Sequence, residues 1–175
     1  MMRIISYLLL LLMAAYSYAD TKSPGMRCEI IDGVCQLKNK RGAVQASGKL
    51  VDWKKEGLWT FWDAHGVKTV ELTFKADVLN GPANFFYSSY HSLEFAGNKK
   101  VETRFKNGRM DGTNRAYYPD GRMSMEFEIH DGTPEVGFFN QSEIKTRISD
   151  DLSFIDSIVK MVDTSVSRYR ETHTD

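Results

Sequence analysis

The sequence predicts a mostly β protein: a single antiparallel meander of stacked β-hairpin repeats, followed by a C-terminal amphipathic α-helix. Three observations predict it. Glycines fall on a fixed ruler, the segments between them alternate apolar with polar residues, and the last stretch switches to apolar spacings of three and four.

The ruler has a period of 24 residues: Gly33, Gly57 and Gly81 are 24 apart, and second glycines follow nine residues later at Gly42 and Gly66. Gly112 and Gly121 repeat the nine-residue step. In the unit that starts at Gly81, seven extra residues within "YSSYHSLEFAG" carry the second glycine to Gly97. The segments "GVKTVELTF", "GNKKVETRF" and "GRMSMEFEI" then align without a gap. A period of this length signals stacked supersecondary units. The link from Ile129 to Gly132 is shorter by four residues than its predecessors, so the array ends there.

Val70, Leu72 and Phe74 interleave with Glu71 and Thr73, as Met125, Phe127 and Ile129 do with Glu126 and Glu128. Period two predicts half-buried strands. The aromatic stretches "LWTFW" (58–62), "ANFFY" (83–87) and "NRAYY" (114–118) also read as strands. Glycine beside Asn or Asp supplies the positive φ of a hairpin turn, so the ruler glycines are expected at turns.

The order glycine, aromatic pair, Asp-Gly or Asp-x-x-Gly, basic residue, Val-Glu-x-x-Phe and Lys-Asn-Gly resembles the variant MORN repeat of bacterial proteins. "FKNGRMDGTNRAYYPDGRMSMEFEI" is the closest stretch, and the resemblance covers residues 42–139. It implies a curved sheet of hairpins used as a binding or scaffolding surface, with no catalytic residues and no cofactor. Attachment to protein or phospholipid is what eukaryotic arrays of this type imply.

At the N-terminus, Arg3 precedes an apolar run from Ile4 to Ala15, and Ser17-Tyr18-Ala19 places small residues before Asp20. The run is shorter than the roughly 20 apolar residues of a membrane-spanning helix. Residues 1–19 are therefore expected to be a signal peptide cleaved after Ala19, leaving a periplasmic or secreted chain that is not an integral membrane protein. Residues 20–41 should form a first hairpin, in which Cys28 and Cys35 flank an Asp32-Gly33 turn signal. An oxidising compartment makes a disulfide the expected state of this pair. Their spacing is not C-x-x-C and no histidine lies nearby, so a metal site is not expected.

Basic and acidic residues number 23 each, which removes the electrostatic footprint of a nucleic-acid binder. His65, His91, His130 and His173 carry no nucleophile motif or H-E-x-x-H pair, so no enzyme is expected. Glu71, Glu102 and Glu126 occupy one repeat position and should form a row at about 10 Å spacing, paired with Lys or Arg.

Residues 140–175 are expected to hold a linker and the helix, with Ser149 as N-cap and Asp150 and Asp151 in the first turn. Leu152, Ile155, Val159, Val162, Val166 and Tyr169 define its apolar stripe, widened by Phe154, Ile158 and Met161. Such a helix covers the apolar face of an open sheet; its alternative use is dimerisation of an otherwise monomeric chain.

Aromatics are too dense for one face. If Phe61 and Phe85 point into the core, Trp62, Phe86 and Tyr117 form a row on the other face. With Tyr90, His91 and Phe95 of the inserted loop, that row is the candidate binding site for a protein or envelope component: a peptide, a glycan or a lipid headgroup. The remaining alternative is a small secreted enzyme or inhibitor whose site carries no local motif.

Overall fold

A computed structural model describes residues 26–90, 92–135 and 141–173, and the side chains of the last segment from Leu152 onward. The expected signal peptide and its cleavage point, residues 20–25 of the expected first hairpin, His91, residues 136–139 of the expected repeat array and residue 140 of the linker lie outside the described residues. Strands β1 (Arg27–Ile31), β2 (Val34–Lys38), β3 (Val44–Val51), β4 (Lys54–Trp62), β5 (Lys68–Lys75), β6 (Val78–Phe86), β7 (Lys99–Lys106), β8 (Arg109–Met110), β9 (Gly112–Tyr117), β10 (Met123–His130) and β11 (Thr133–Pro134) precede one helix, α1 (Gln141–His173). The strands form one sheet in sequence order, with β8 set off the path beside β7. Each neighbouring pair is antiparallel, which is the predicted meander.

One edge of the sheet is made by two-residue turns in which both central residues have positive φ: Asp32-Gly33, Asp52-Trp53, Ala76-Asp77, Asn107-Gly108 and Asp131-Gly132. This is the turn whose twist matches that of the flanking strands. The other edge carries longer turns ending at Gly42, Gly66, Gly97 and Gly121. Asn39 and Asp63 open two of them and Asp120 lies within a third, just before its glycine; each accepts a backbone N–H two residues on.

Gly57, Gly81 and Gly112 do not make turns. They sit inside β4 and β6 and at the start of β9, opposite Phe74, Phe105 and Ile129 on the next strand. The strand register shifts beside Gly57 and Gly81. Glycine there accepts the positive φ of an irregular strand; a Cβ at Gly57 or Gly112 would meet nothing within 4 Å, whereas one at Gly81 would press on Thr73 at 2.8 Å.

Three rows run across the strands in unbroken register. Cys28, Leu37, Ala46, Phe61, Val70, Phe85, Val101, Ala116 and Met125 face the core, as do Cys35, Gly48, Trp59, Leu72, Ala83 and Thr103 two residues along. Between them, on the opposite face, lie Glu29, Gln36, Ser47, Thr60, Glu71, Asn84, Glu102, Arg115 and Glu126. Alternation thus separates an apolar face from a polar one across nine strands.

Helix α1 packs on the apolar face. Ile155, Ile158, Val162 and Val166 are buried in the same cluster as Trp59, Leu72 and Phe74, with Phe154, Val159, Met161 and Tyr169 half-buried beside them. Two expectations need correction. The helix begins at Gln141, so Ser149 lies within it and is not its N-cap, and Leu152 is exposed and lies off the buried stripe. Lys55, buried at the start of β4, reaches across to α1: its ammonium pairs with Asp77 at 2.8 Å and with Asp163. Burial alone would raise the Asp77 carboxyl, but hydrogen bonds from the Lys55 side chain and backbone outweigh it and hold the group below its ordinary value. Trp53, at the β3–β4 tip, meets Tyr169 with ring centroids 6.5 Å apart, and the Arg170 guanidinium lies 5.6 Å over its ring.

Candidate functional site

Trp62, Phe86 and Tyr117 are the last residues of β4, β6 and β9, and all three are half-buried. Phe61 and Phe85 are buried with the core, so alternation sends the next residue in each strand to the polar face. Contacts place the other two rings there directly. Lys68 Nζ stands 4.4 Å from the Phe86 ring centre while pairing with Glu71 at 2.7 Å, and the Tyr117 hydroxyl donates to Glu102 Oε2 at 2.7 Å.

The strand register explains why lysines reach this face. Opposite Phe61 stands Val70, but opposite Trp62 stands Lys68, so Thr69 is skipped. The same slip recurs between Phe85 and Phe86, skipping Lys100, and between Ala116 and Tyr117, skipping Ser124. Each slip brings the residue that opposes an aromatic ring around to the polar side. The result is an alternating border, Trp62, Lys68, Phe86, Lys99, Tyr117 and Met123, beside the polar row. Sequence alternation alone missed these lysines, because a strict period of two from Val70 points Lys68 toward the core.

The glutamates lie where the repeat puts them. Glu71, Glu102 and Glu126 are two strands apart, hence at about 10 Å spacing. They pair with Lys68, Lys99 and Arg115 respectively, the last at 2.6 Å. Asn84 Nδ2 donates to Glu71 at 3.2 Å. Hydrogen bonds from Lys99 and then Tyr117 hold the Glu102 carboxyl below its ordinary value. Burial, together with the bond to Glu102, pushes the Tyr117 phenol up.

The inserted loop between β6 and β7 is anchored by a side-chain cluster that local motifs did not reveal. Asp63 Oδ2 accepts from the Ser89 hydroxyl at 2.7 Å and the Ser89 N–H at 2.9 Å, while Oδ1 accepts from the His65 and Val67 N–H groups at 3.0 Å. His65 Nδ1 lies 2.8 Å from the same hydroxyl, and the His65 ring meets Tyr90 edge-on at 5.4 Å. Although this joins Ser, His and Asp, the order differs from a nucleophilic triad: the serine proton points at the carboxylate, and the histidine can only donate to the serine. Asp63 is buried, which raises its carboxyl, but the four hydrogen bonds prevail and keep it below its ordinary value. A carboxylate so satisfied is a weak base. It ties the loop to the β4–β5 turn.

Tyr90 is exposed and Phe95 half-buried in that loop. The Tyr87 hydroxyl donates to the Tyr117 carbonyl at 2.8 Å, which joins the loop's start to the aromatic border. At the opposite edge, a polar depression of about 380 Å³ is lined by Lys106, Asn107, Arg109, Asp111 and Asp131, where Arg109 pairs with Asp131 at 2.8 Å. Among the described residues no three His, Cys, Asp or Glu side chains converge as a metal site. Among them, too, no helix is long and apolar enough to cross a membrane.

Cys28 and Cys35 face the core on adjacent strands as two unbonded thiols, Sγ to Sγ 2.8 Å. The hydrogen bond between them holds the Cys28 thiol below its ordinary value and, with burial, pushes the Cys35 thiol up. Neither a family model nor a curated protein matches this chain.

Proposed function

We propose that this chain is a non-enzymatic binding or scaffold module, exported and cleaved after Ala19, that recognises a protein or cell-envelope component through the polar face of its repeat sheet. What carries this reading is the border of Trp62, Phe86 and Tyr117 beside a polar row that keeps register over nine strands, on the face opposite α1. Partly exposed rings at equivalent positions of successive hairpins form a repeated contact surface, which is how stacked repeats bind extended partners. The resemblance to the bacterial MORN-variant repeat points the same way. In this reading the protein acts as a monomer in an oxidising compartment, with Cys28 and Cys35 joined.

The test is retention of partners from an envelope extract on immobilised protein, wild type against Trp62→Ala/Tyr117→Ala. The expected result is one abundant component held by the wild type and lost by the variant, with the melting temperature little changed. Equal retention by both proteins, or unfolding of the variant with unchanged retention by its folded fraction, would assign the rings to structure and remove the site.

A further inference from the structure

We propose that the polar face takes a neutral, extended β-1,4-linked polysaccharide, laid across the strands along the border of Trp62, Phe86 and Tyr117. This deepens the binding-module reading and rests on it. Three features carry it.

The first is spacing. The three rings lie on β4, β6 and β9, each separated from the next by a single strand, β5 or β7, so they recur at about 10 Å. An extended chain of equatorially linked pyranoses presents the same face of a sugar at every second residue, over nearly that length. Each ring can then stack on alternate sugars, whose axial C–H groups form an apolar plate.

The second is charge. Lys68, Lys99 and Arg115 are each paired with a glutamate of the polar row, at 2.7 Å for Glu71 and 2.6 Å for Glu126. A polyanion, a basic peptide or an anionic lipid surface must compete with those pairs to engage the charges beside the rings. A neutral ligand keeps them intact.

The third is hydrogen-bonding capacity. Beside the rings run Thr60, Glu71, Asn84, Glu102 and Arg115, an alternation of acceptors and donors within reach of a chain whose hydroxyls are both. Lys68 covers one side of Phe86 and still has donors beyond the one given to Glu71, so the ligand meets ring, ammonium and ring in turn. Such polar neighbours fix orientation, while the rings supply area.

Titration of the purified protein with β-1,4-linked hexamers of N-acetylglucosamine and of glucose tests this, with the matching disaccharides, heparin and phosphatidylglycerol vesicles as further arms. A hexamer spans three rings and a disaccharide one, so the expected result is hexamer binding at least tenfold tighter than disaccharide binding, insensitive to salt. Heparin and vesicles should not compete. Phe86→Ala and Tyr117→Ala should each weaken the hexamer about tenfold at unchanged melting temperature. The length dependence needs no variant, so it stands even where a substitution unfolds the protein. Equal affinity for hexamer and disaccharide, competition by heparin or vesicles, or no hexamer binding overturns the inference. If no hexamer binds but an envelope polypeptide is still retained through Trp62 and Tyr117, the glycan assignment falls and the binding module stands. If neither is retained, both fall.

Discussion

Trp59 lies flat against Gly48, its partner across β3 and β4: a Cβ on Gly48 would sit 2.2 Å from the indole Cδ2, and the indole N–H donates to the Lys49 carbonyl at 3.2 Å. Trp59 is fully buried, so the ring has no room to retreat. Gly48→Ala should therefore destabilise by about 1–3 kcal/mol through overpacking. Urea unfolding followed by tryptophan fluorescence checks this, and an unchanged midpoint would show that the ring can move.

The pairs made by Lys55 should carry the docking of α1. Removing one partner of a buried pair costs most when a buried charge is stranded, and here the buried member is the lysine. Asp163→Asn leaves Asp77 in place and should cost under about 1 kcal/mol, since the carboxylate is half-exposed. Asp77→Asn/Asp163→Asn should cost more than the sum of the two single changes, by about 1 kcal/mol. Thermal melts of the four proteins complete the cycle.

Acid should unfold the protein through named carboxyls. Asp63 and Asp77 have folded values below the ordinary 3.8, and Glu102 has one below 4.5. Each contributes stability in full above its unfolded value and loses it as pH falls through the lower folded value. The melting temperature should be flat near neutrality and drop below about pH 4. Asp63→Asn should make that drop shallower. An acid limb identical to wild type would separate Asp63 from it.

Oxidation should join Cys28 and Cys35 without rebuilding the strands, because their sulfurs already meet across β1 and β2. The short loop corresponds to about 2–3 kcal/mol in the chain-entropy account. Thiol titration of unreduced protein should find no free cysteine, and reduction should lower the melting temperature. Two titratable thiols in unreduced protein would refute the pairing.

Deleting residues 150–175 removes Ile155, Ile158, Val162 and Val166 from the apolar face. Each buries about 1.5–3 kcal/mol of side chain at most, before the entropy of ordering the helix is set against it. The truncated protein should melt lower, bind hydrophobic dyes and associate. Unchanged stability in a monomer would mean that the sheet does not need this cover.

The meander was legible because period two and the 24-residue ruler both survive in the sequence. The function of each glycine was not. Turns and strand irregularities recur with the same period, so spacing cannot tell Gly57 from Gly66, and Asp52-Trp53 and Ala76-Asp77 turn the chain with no glycine at all. For the site, aromatic density marked Trp62, Phe86 and Tyr117, whose contacts with Lys68 and Glu102 depend on cross-strand register. The tie from Asp63 to Ser89 spans 26 residues and two turns, beyond the reach of any local pattern.

Trp53 makes one hairpin tip answerable to a distant segment of the chain. A bulky residue at φ 64° carries roughly 1–2 kcal/mol of local strain, and the groups that meet its ring, Tyr169 and Arg170, stand on α1. The tip is strained by itself and clamped only where the helix docks. Loosening of the helix and fraying of the β3–β4 turn are thereby one event, felt at both ends of the sheet's cover.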